Sequence, residues 1–133
     1  MIELDRPALL RGMAVAALIA VPAALVGLWA SDRDDLGWLG ALAVVVVLLG
    51  LIIGAAVAAH RQEVGAPLAH GIVTAAALFV LIQVVGIVRR AIIGDEIVWA
   101  RILSSAVLAL VAGAIGGVIG GRVEGRTHRG AHR

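Results

Sequence analysis

Charged residues are absent from four stretches of the chain, 12–31, 36–59, 64–88 and 102–121, and collect in the short segments between and beyond them. Each stretch reaches the roughly 20 residues that carry a helix across a bilayer core. The pattern therefore predicts four transmembrane helices at about 12–31, 36–59, 68–88 and 102–121, with a basic, unordered tail at 122–133. Composition points the same way. Of the 133 residues 62% are hydrophobic, the mean hydropathy is +1.06, and only 15% are charged, against roughly 25% in a soluble domain. The expected fold is all-α, a polytopic membrane protein with little chain left for any other domain.

A shift of 59 residues sharpens this into a repeat. It lays "RGMAVAA" at 11–17 on "HGIVTAA" at 70–76, carries Gly27 onto Gly86, and sets Pro7 and Pro67 before the two starts. After the second helix of each half, "AHRQE" at 59–63 resembles "GGRVE" at 120–124, provided the second outer loop is about two residues longer. Each unit is then one helical hairpin. Two hairpins entering from the same side form a parallel repeat about an axis along the membrane normal.

The last helix carries the run "AGAIGGVIGG", costly in water, where each interior glycine loses about 1 kcal/mol against alanine. In lipid the apolar effect does not drive helices together, and small side chains permit the close van der Waals contact that does. Gly113, Gly117 and Gly121 lie four apart, as do Gly116 and Gly120, giving two adjacent ridges. The second helix offers Gly50, Gly54 and Ala58 at the same spacing. The pseudo-twofold would bring these equivalent helices together at the centre. The pattern leaves open whether the partner lies within the chain or on another copy.

Every one of the eleven cationic side chains is arginine, and Lys, Cys, Tyr and Asn are absent. Without cysteine there is no disulfide, thiolate nucleophile or cysteine metal site. The pI near 11.0 accompanies a net charge of only +2, so it gives no reason to infer a nucleic-acid partner. The opening "MIELDRPALLRG" mixes Glu3 and Asp5 with Arg6 and Arg11, and the apolar run after it is too long for a signal-peptide core. We expect the first span to stay uncleaved. Arg6, Arg11, Arg61, Arg122, Arg126, Arg129 and Arg133 fall on the side of the termini, and Arg33, Arg89, Arg90 and Arg101 on the other. By the positive-inside rule both termini are expected in the cytoplasm. Trp29, Trp38 and Trp99 flank the two outer loops, where indole rings favour the interface.

The segment "GAAVAAHRQEVGAPLAHGIVTA" together with "AGAIGGVIGG" resembles a family of small four-span membrane proteins of unknown function from Gram-positive bacteria. The resemblance covers about a quarter of the chain. It implies a bacterial plasma-membrane location and brings no activity with it.

Polar residues within the spans are few: His70, Thr74, Gln83, Ser104 and Ser105. A proton-coupled carrier relies on an ionisable group at mid-membrane, and the spans contain no Asp or Glu. Small multidrug carriers depend on a glutamate in the first helix and small fluoride channels on a membrane asparagine, neither of which this chain has. His70 takes the repeat position of Arg11 and is the one candidate sensor of pH, with snorkelling to headgroups or a bond to a neighbouring carbonyl as the structural alternative. Gln83 and Thr74 are candidates for a polar path, or for interhelical hydrogen bonds worth about 0.6 kcal/mol on average.

Outside the spans, "SDRDDLG" at 31–37 reads as a solvated turn that caps the next helix, short of the six or more oxygens a calcium site requires. "RRAIIGDEIVWAR" reads as an interfacial segment, with Asp95 and Glu96 pairing with Arg89, Arg90 or Arg101. In the tail, Arg122, Arg126, Arg129 and Arg133 are expected to lie against anionic headgroups, at about 1 kcal/mol each. Gly130 separates His128 from His132 and argues against a metal site. No nucleophile stands at an evident spacing from a base, so we expect neither an enzyme nor a cofactor. The preferred reading is a small structural or accessory membrane protein acting through helix contacts, as a homo-oligomer or with another membrane protein. An oligomeric channel or small permease, and a holin-like pore former, are the alternatives.

Overall fold

The computed structural model describes residues 4–31 and 33–130, with side chains described for all of these except Ser31, Asp34 and 124–130. Four helices make the fold: α1 (Arg6–Ser31), α2 (Gly37–Arg61), α3 (Pro67–Ile93) and α4 (Trp99–Gly130), with a single 3-10 turn at Asp34–Leu36 and no strand among the described residues. Within them Arg6–Ala30, Gly37–Arg61, Pro67–Ile93 and Trp99–Val123 are each long and apolar enough to cross a membrane. At about 1.5 Å per residue, even 25 residues exceed the ~30 Å of a hydrocarbon core.

The helices outrun the uncharged stretches. Arg6, Arg11, Arg61, Arg89 and Arg90 are all helical, because a long cationic side chain at a helix end can reach the interface without breaking the backbone ladder. α3 consequently includes Ile92 and Ile93, which the sequence placed in an interfacial segment. It stops at Gly94, whose φ of 78° and N–H to the Arg90 carbonyl form a left-handed cap. α4 likewise runs on through 122–130, where the sequence suggested an unordered tail. Extending an existing helix needs no new nucleus, so residues such as Arg122 and Val123 simply propagate it. Arg122 is exposed; the side chains of Arg126 and Arg129, and the whole of Arg133, lie outside the described residues. The α1–α2 turn does not cap α2, whose N-cap is Leu36 without a side-chain bond.

α1 meets α2 and α3, α4 meets α2 and α3, α2 and α3 touch across the middle, and α1 and α4 stay apart. Both hairpins close in the same way. A methyl group on Gly12 would lie 2.6 Å from the Gly54 carbonyl oxygen and 2.6 Å from Ala58 Cβ; on Gly71 it would lie 2.5 Å from the Gly113 carbonyl oxygen and 2.7 Å from Gly117 Cα. In return Gly54 faces Ala16 and the Gly12 carbonyl, and Gly113 faces Ala75 and the Gly71 carbonyl. Gly12, Ala16, Gly54 and Ala58 thus match Gly71, Ala75, Gly113 and Gly117 at one constant shift of 59 residues. No lengthening of the second outer loop is needed, since the resemblance of 59–63 to 120–124 is out of register with these contacts.

The pairing of Gly50 and Gly54 with α4 is also corrected. Gly50 lies against Ile19 and Ala20, and Gly54 against Gly12 and Ala16, so this face of α2 belongs to α1. α2 has a second small face, and Gly116 and Gly120 of α4 lie against its Ile52, Ala55, Ala56 and Ala59. The other α4 ridge faces α3, with Gly113 against Gly71 and Ala75, Gly117 against Leu68, and Gly121 against Pro67. The α2–α3 contact has no counterpart between α1 and α4, so the twofold is approximate. A core of Ala16, Ala20, Leu51, Ala75, Leu78, Ala109 and Ala112 fills the middle, while Leu18 and Ile92 are each 78% exposed on the outside.

Candidate functional site

The bundle has two unlike ends. The terminal end holds the start of α1, the α2–α3 connection and the last turns of α4; the distal end holds the α1–α2 and α3–α4 connections. At the terminal end glycines stand against neighbouring backbones. At the distal end Gly40 and Gly86 would present a Cβ to open space, with no atom within 4 Å, and Gly27 meets only Ala43 Cβ, at 3.0 Å.

That difference leaves a cavity of about 400 Å³ among all four helices at the distal end. Its upper wall has little side-chain volume, because Gly27, Gly40, Ala43 and Gly86 line it. Leu48, Leu51, Phe79 and Ile82 line it more deeply, and they pack on or belong to the buried core, which forms the floor. Small residues normally let helices close; here Gly40 and Gly86 have no neighbouring atom within reach of a Cβ, and they leave a void beyond these bulkier side chains.

Four polar residues join this apolar lining: Gln83 and Arg90 on α3, and Arg101 and Ser105 on α4. Among the described residues no Asp or Glu lines the cavity. Arg90 and Gln83 are half-buried and Arg101 is exposed. The Ser105 hydroxyl donates to the Arg101 carbonyl at 2.7 Å, and that of Ser104 to the same carbonyl at 3.0 Å. Neither Arg90 nor Arg101 forms an ion pair among the described residues, so the expected pairing with Asp95 or Glu96 is not made by these two arginines. Both carboxylates are exposed, and an exposed pair is worth little against side-chain entropy. Gln83 has no protein hydrogen-bond partner among the described residues; it faces the cavity instead of bonding another helix. Beside this region the Arg33 guanidinium stacks 3.8 Å from the Trp29 ring centre, a cation–π contact that sequence spacing alone did not suggest.

His70 lies at the terminal end and is fully buried, so it does not snorkel. Its Nε2 accepts the Asp5 backbone N–H at 2.8 Å. Nδ1 must then carry the proton, and donates it to the Ala66 carbonyl at 2.8 Å. Only the neutral ring satisfies both bonds, since a second ring proton would face the Asp5 N–H. Asp5 also caps α1 through Oδ1, which accepts the Ala8 N–H at 3.2 Å. One imidazole therefore ties the start of α1 to the start of α3. Sequence reading missed Asp5 here, because a main-chain donor has no residue signature. It also missed Gln62, which is buried and accepts the Ala66 N–H at 3.0 Å. Among the described residues Gln62 Nε2 and Thr74 Oγ1 are buried without a partner, and Thr74 neither lines the cavity nor bonds another helix.

No family model matches the chain, and no curated protein or solved structure is significantly similar to it.

Proposed function

We propose that this chain is a small accessory protein of the bacterial plasma membrane, with both termini cytoplasmic, that holds a partner molecule without converting or conducting it. The observation behind this is the blind end of the distal cavity. Its floor is the buried core, and beyond that the helices meet backbone to backbone through Gly12, Gly54, Gly71 and Gly113. Such close contacts below the cavity favour an accessory role over a permease. The small-residue ridges face helices of the same chain, so contacts with a second copy or another membrane protein fall to the apolar outer surface and to Arg122 near anionic headgroups. The arginine distribution supports the orientation, and the resemblance to Gram-positive four-span proteins supports the location.

Two measurements test this reading. Purified protein in sealed vesicles is expected to release no entrapped chloride or small dye above the protein-free rate, and mild-detergent extraction from the native host is expected to copurify a membrane protein. Solute release would establish the channel reading instead, and sudden depolarisation on expression the holin-like one. Reporter fusions after Arg133 and at Arg61 are expected to register the cytoplasm, and fusions at Asp34 and Gly94 the outside. The opposite pattern would overturn the orientation.

A further inference from the structure

We propose that the distal cavity binds a single-chain amphiphile with an anionic headgroup, its chain along the apolar lining and its head between Arg90 and Arg101. The proposal rests on the accessory reading above and names what is held. Four features of the cavity converge on this class. The lining from Leu28 down to Leu51 and Phe79 is apolar, which suits a hydrocarbon chain and gives a free ion nothing to coordinate. Among the described residues the only formal charges in the lining are the two arginines, and neither is neutralised by a carboxylate of those residues. Guanidinium groups pair with carboxylate or phosphate in a planar, charge-assisted geometry. Gln83 adds a half-buried amide without a protein partner, able to donate to the same head. The volume of about 400 Å³ falls at the low end of the roughly 300–1,000 Å³ of small-ligand pockets, room for one chain.

The test uses the full chain purified in a non-ionic detergent and a fluorescent fatty acid, displaced in turn by tetradecanoate, tetradecanol and tetradecylamine. Tetradecanoate is expected to displace the probe at least tenfold better than the alcohol or the amine. Arg90→Gln and Arg101→Gln should each weaken tetradecanoate about tenfold while leaving the alcohol unchanged, the effect of one charge-assisted bond. Gly86→Leu should abolish probe binding at an unchanged melting temperature, because its side chain enters open space inside the cavity. Equal displacement by the alcohol, or full binding by Gly86→Leu, would overturn the proposal, as would failure of the wild-type protein to bind the probe. The vesicle measurement separates the two claims: release of solute by a protein that binds tetradecanoate refutes the accessory reading alone, and a tight vesicle with no binding refutes the amphiphile alone.

Discussion

Glycine does opposite things at the two ends of this bundle. At the terminal end Gly71 meets the Gly113 carbonyl and Gly117, so the missing side chain lets two backbones touch. At the distal end Gly86 and Gly40 meet nothing, and the missing side chains become empty volume. The residue is the same; its neighbours differ. A glycine opposite another small residue, with no bulk at the same level, closes an interface. A glycine beyond a layer such as Leu48, Leu51, Phe79 and Ile82 opens one. Sequence stripes of small residues therefore indicate where helices are able to approach, and the larger residues between them decide whether they do.

The sharpest way to break this comparison is Gly71→Leu. Its Cβ would sit 2.5 Å from the Gly113 carbonyl oxygen and 2.7 Å from Gly117 Cα, backbone atoms unable to turn aside. Stability should fall by about 3 kcal/mol, the upper end of overpacking costs, read as a lowered melting temperature or loss of a single species on gel filtration. Gly117→Leu should fall somewhat less, with Val118→Leu, at an exposed position, as the control for added bulk. Wild-type melting of both glycine variants would mean that the ridge faces lipid.

Next in size is His70→Phe. It removes the acceptor of the Asp5 N–H and the donor to Ala66, while the His70 backbone N–H still bonds Ala66. A loss of about 1–3 kcal/mol is expected, the cost of leaving buried polar groups unmade. It should be concentrated at the start of α1, where amide exchange of Ala8 and Leu9 should quicken before that of α2. Uniform acceleration in all four helices would show that the imidazole is merely core packing.

Thr74→Val should go the other way. The hydroxyl is buried and has no partner among the described residues, so its replacement by a methyl group of similar shape should raise stability by up to about 1 kcal/mol. A drop in melting temperature would mean that a water or ligand satisfies that oxygen in the membrane. The smallest effect belongs to Gly40→Leu and Gly86→Leu, which should each stay within about 0.5 kcal/mol of wild type because their side chains enter free space. Should either match the loss of Gly71→Leu, the two ends pack alike and the comparison fails.

The four spans were legible because charge is expelled from a bilayer core, and the run 36–59 coincides nearly with α2. Helix ends were less so. Arg89 and Arg90 looked like the close of a span, yet interfacial arginine does not stop a helix, and Gly94 does. The repeat could be read from 11–17 and 70–76, whereas its register in the second helices could not, since small apolar residues match at several shifts. Ridge partners were hidden for a related reason: spacing on α2 marks two small faces without saying which one α1 takes. The cavity left no local signal at all, because Gly27, Gly40, Ala43 and Gly86 come from three helices and acquire their meaning only together.

The constant shift of 59 residues has a consequence for how the chain is made. Gly12 and Gly54 meet within the first hairpin, so every residue of that lock has been synthesised before Pro67 opens the second. Helices that have entered the bilayer can associate as soon as both are present. The first hairpin is then free to close during translation, and the second, with Gly71 and Gly113, repeats the same closure against a finished template. Of the contacts that join the hairpins, Asp5 against His70 needs only the start of α3, whereas Gly116 and Gly120 against α2 come last, and a ribosome stalled before Gly113 should leave a protease-resistant first hairpin in the membrane.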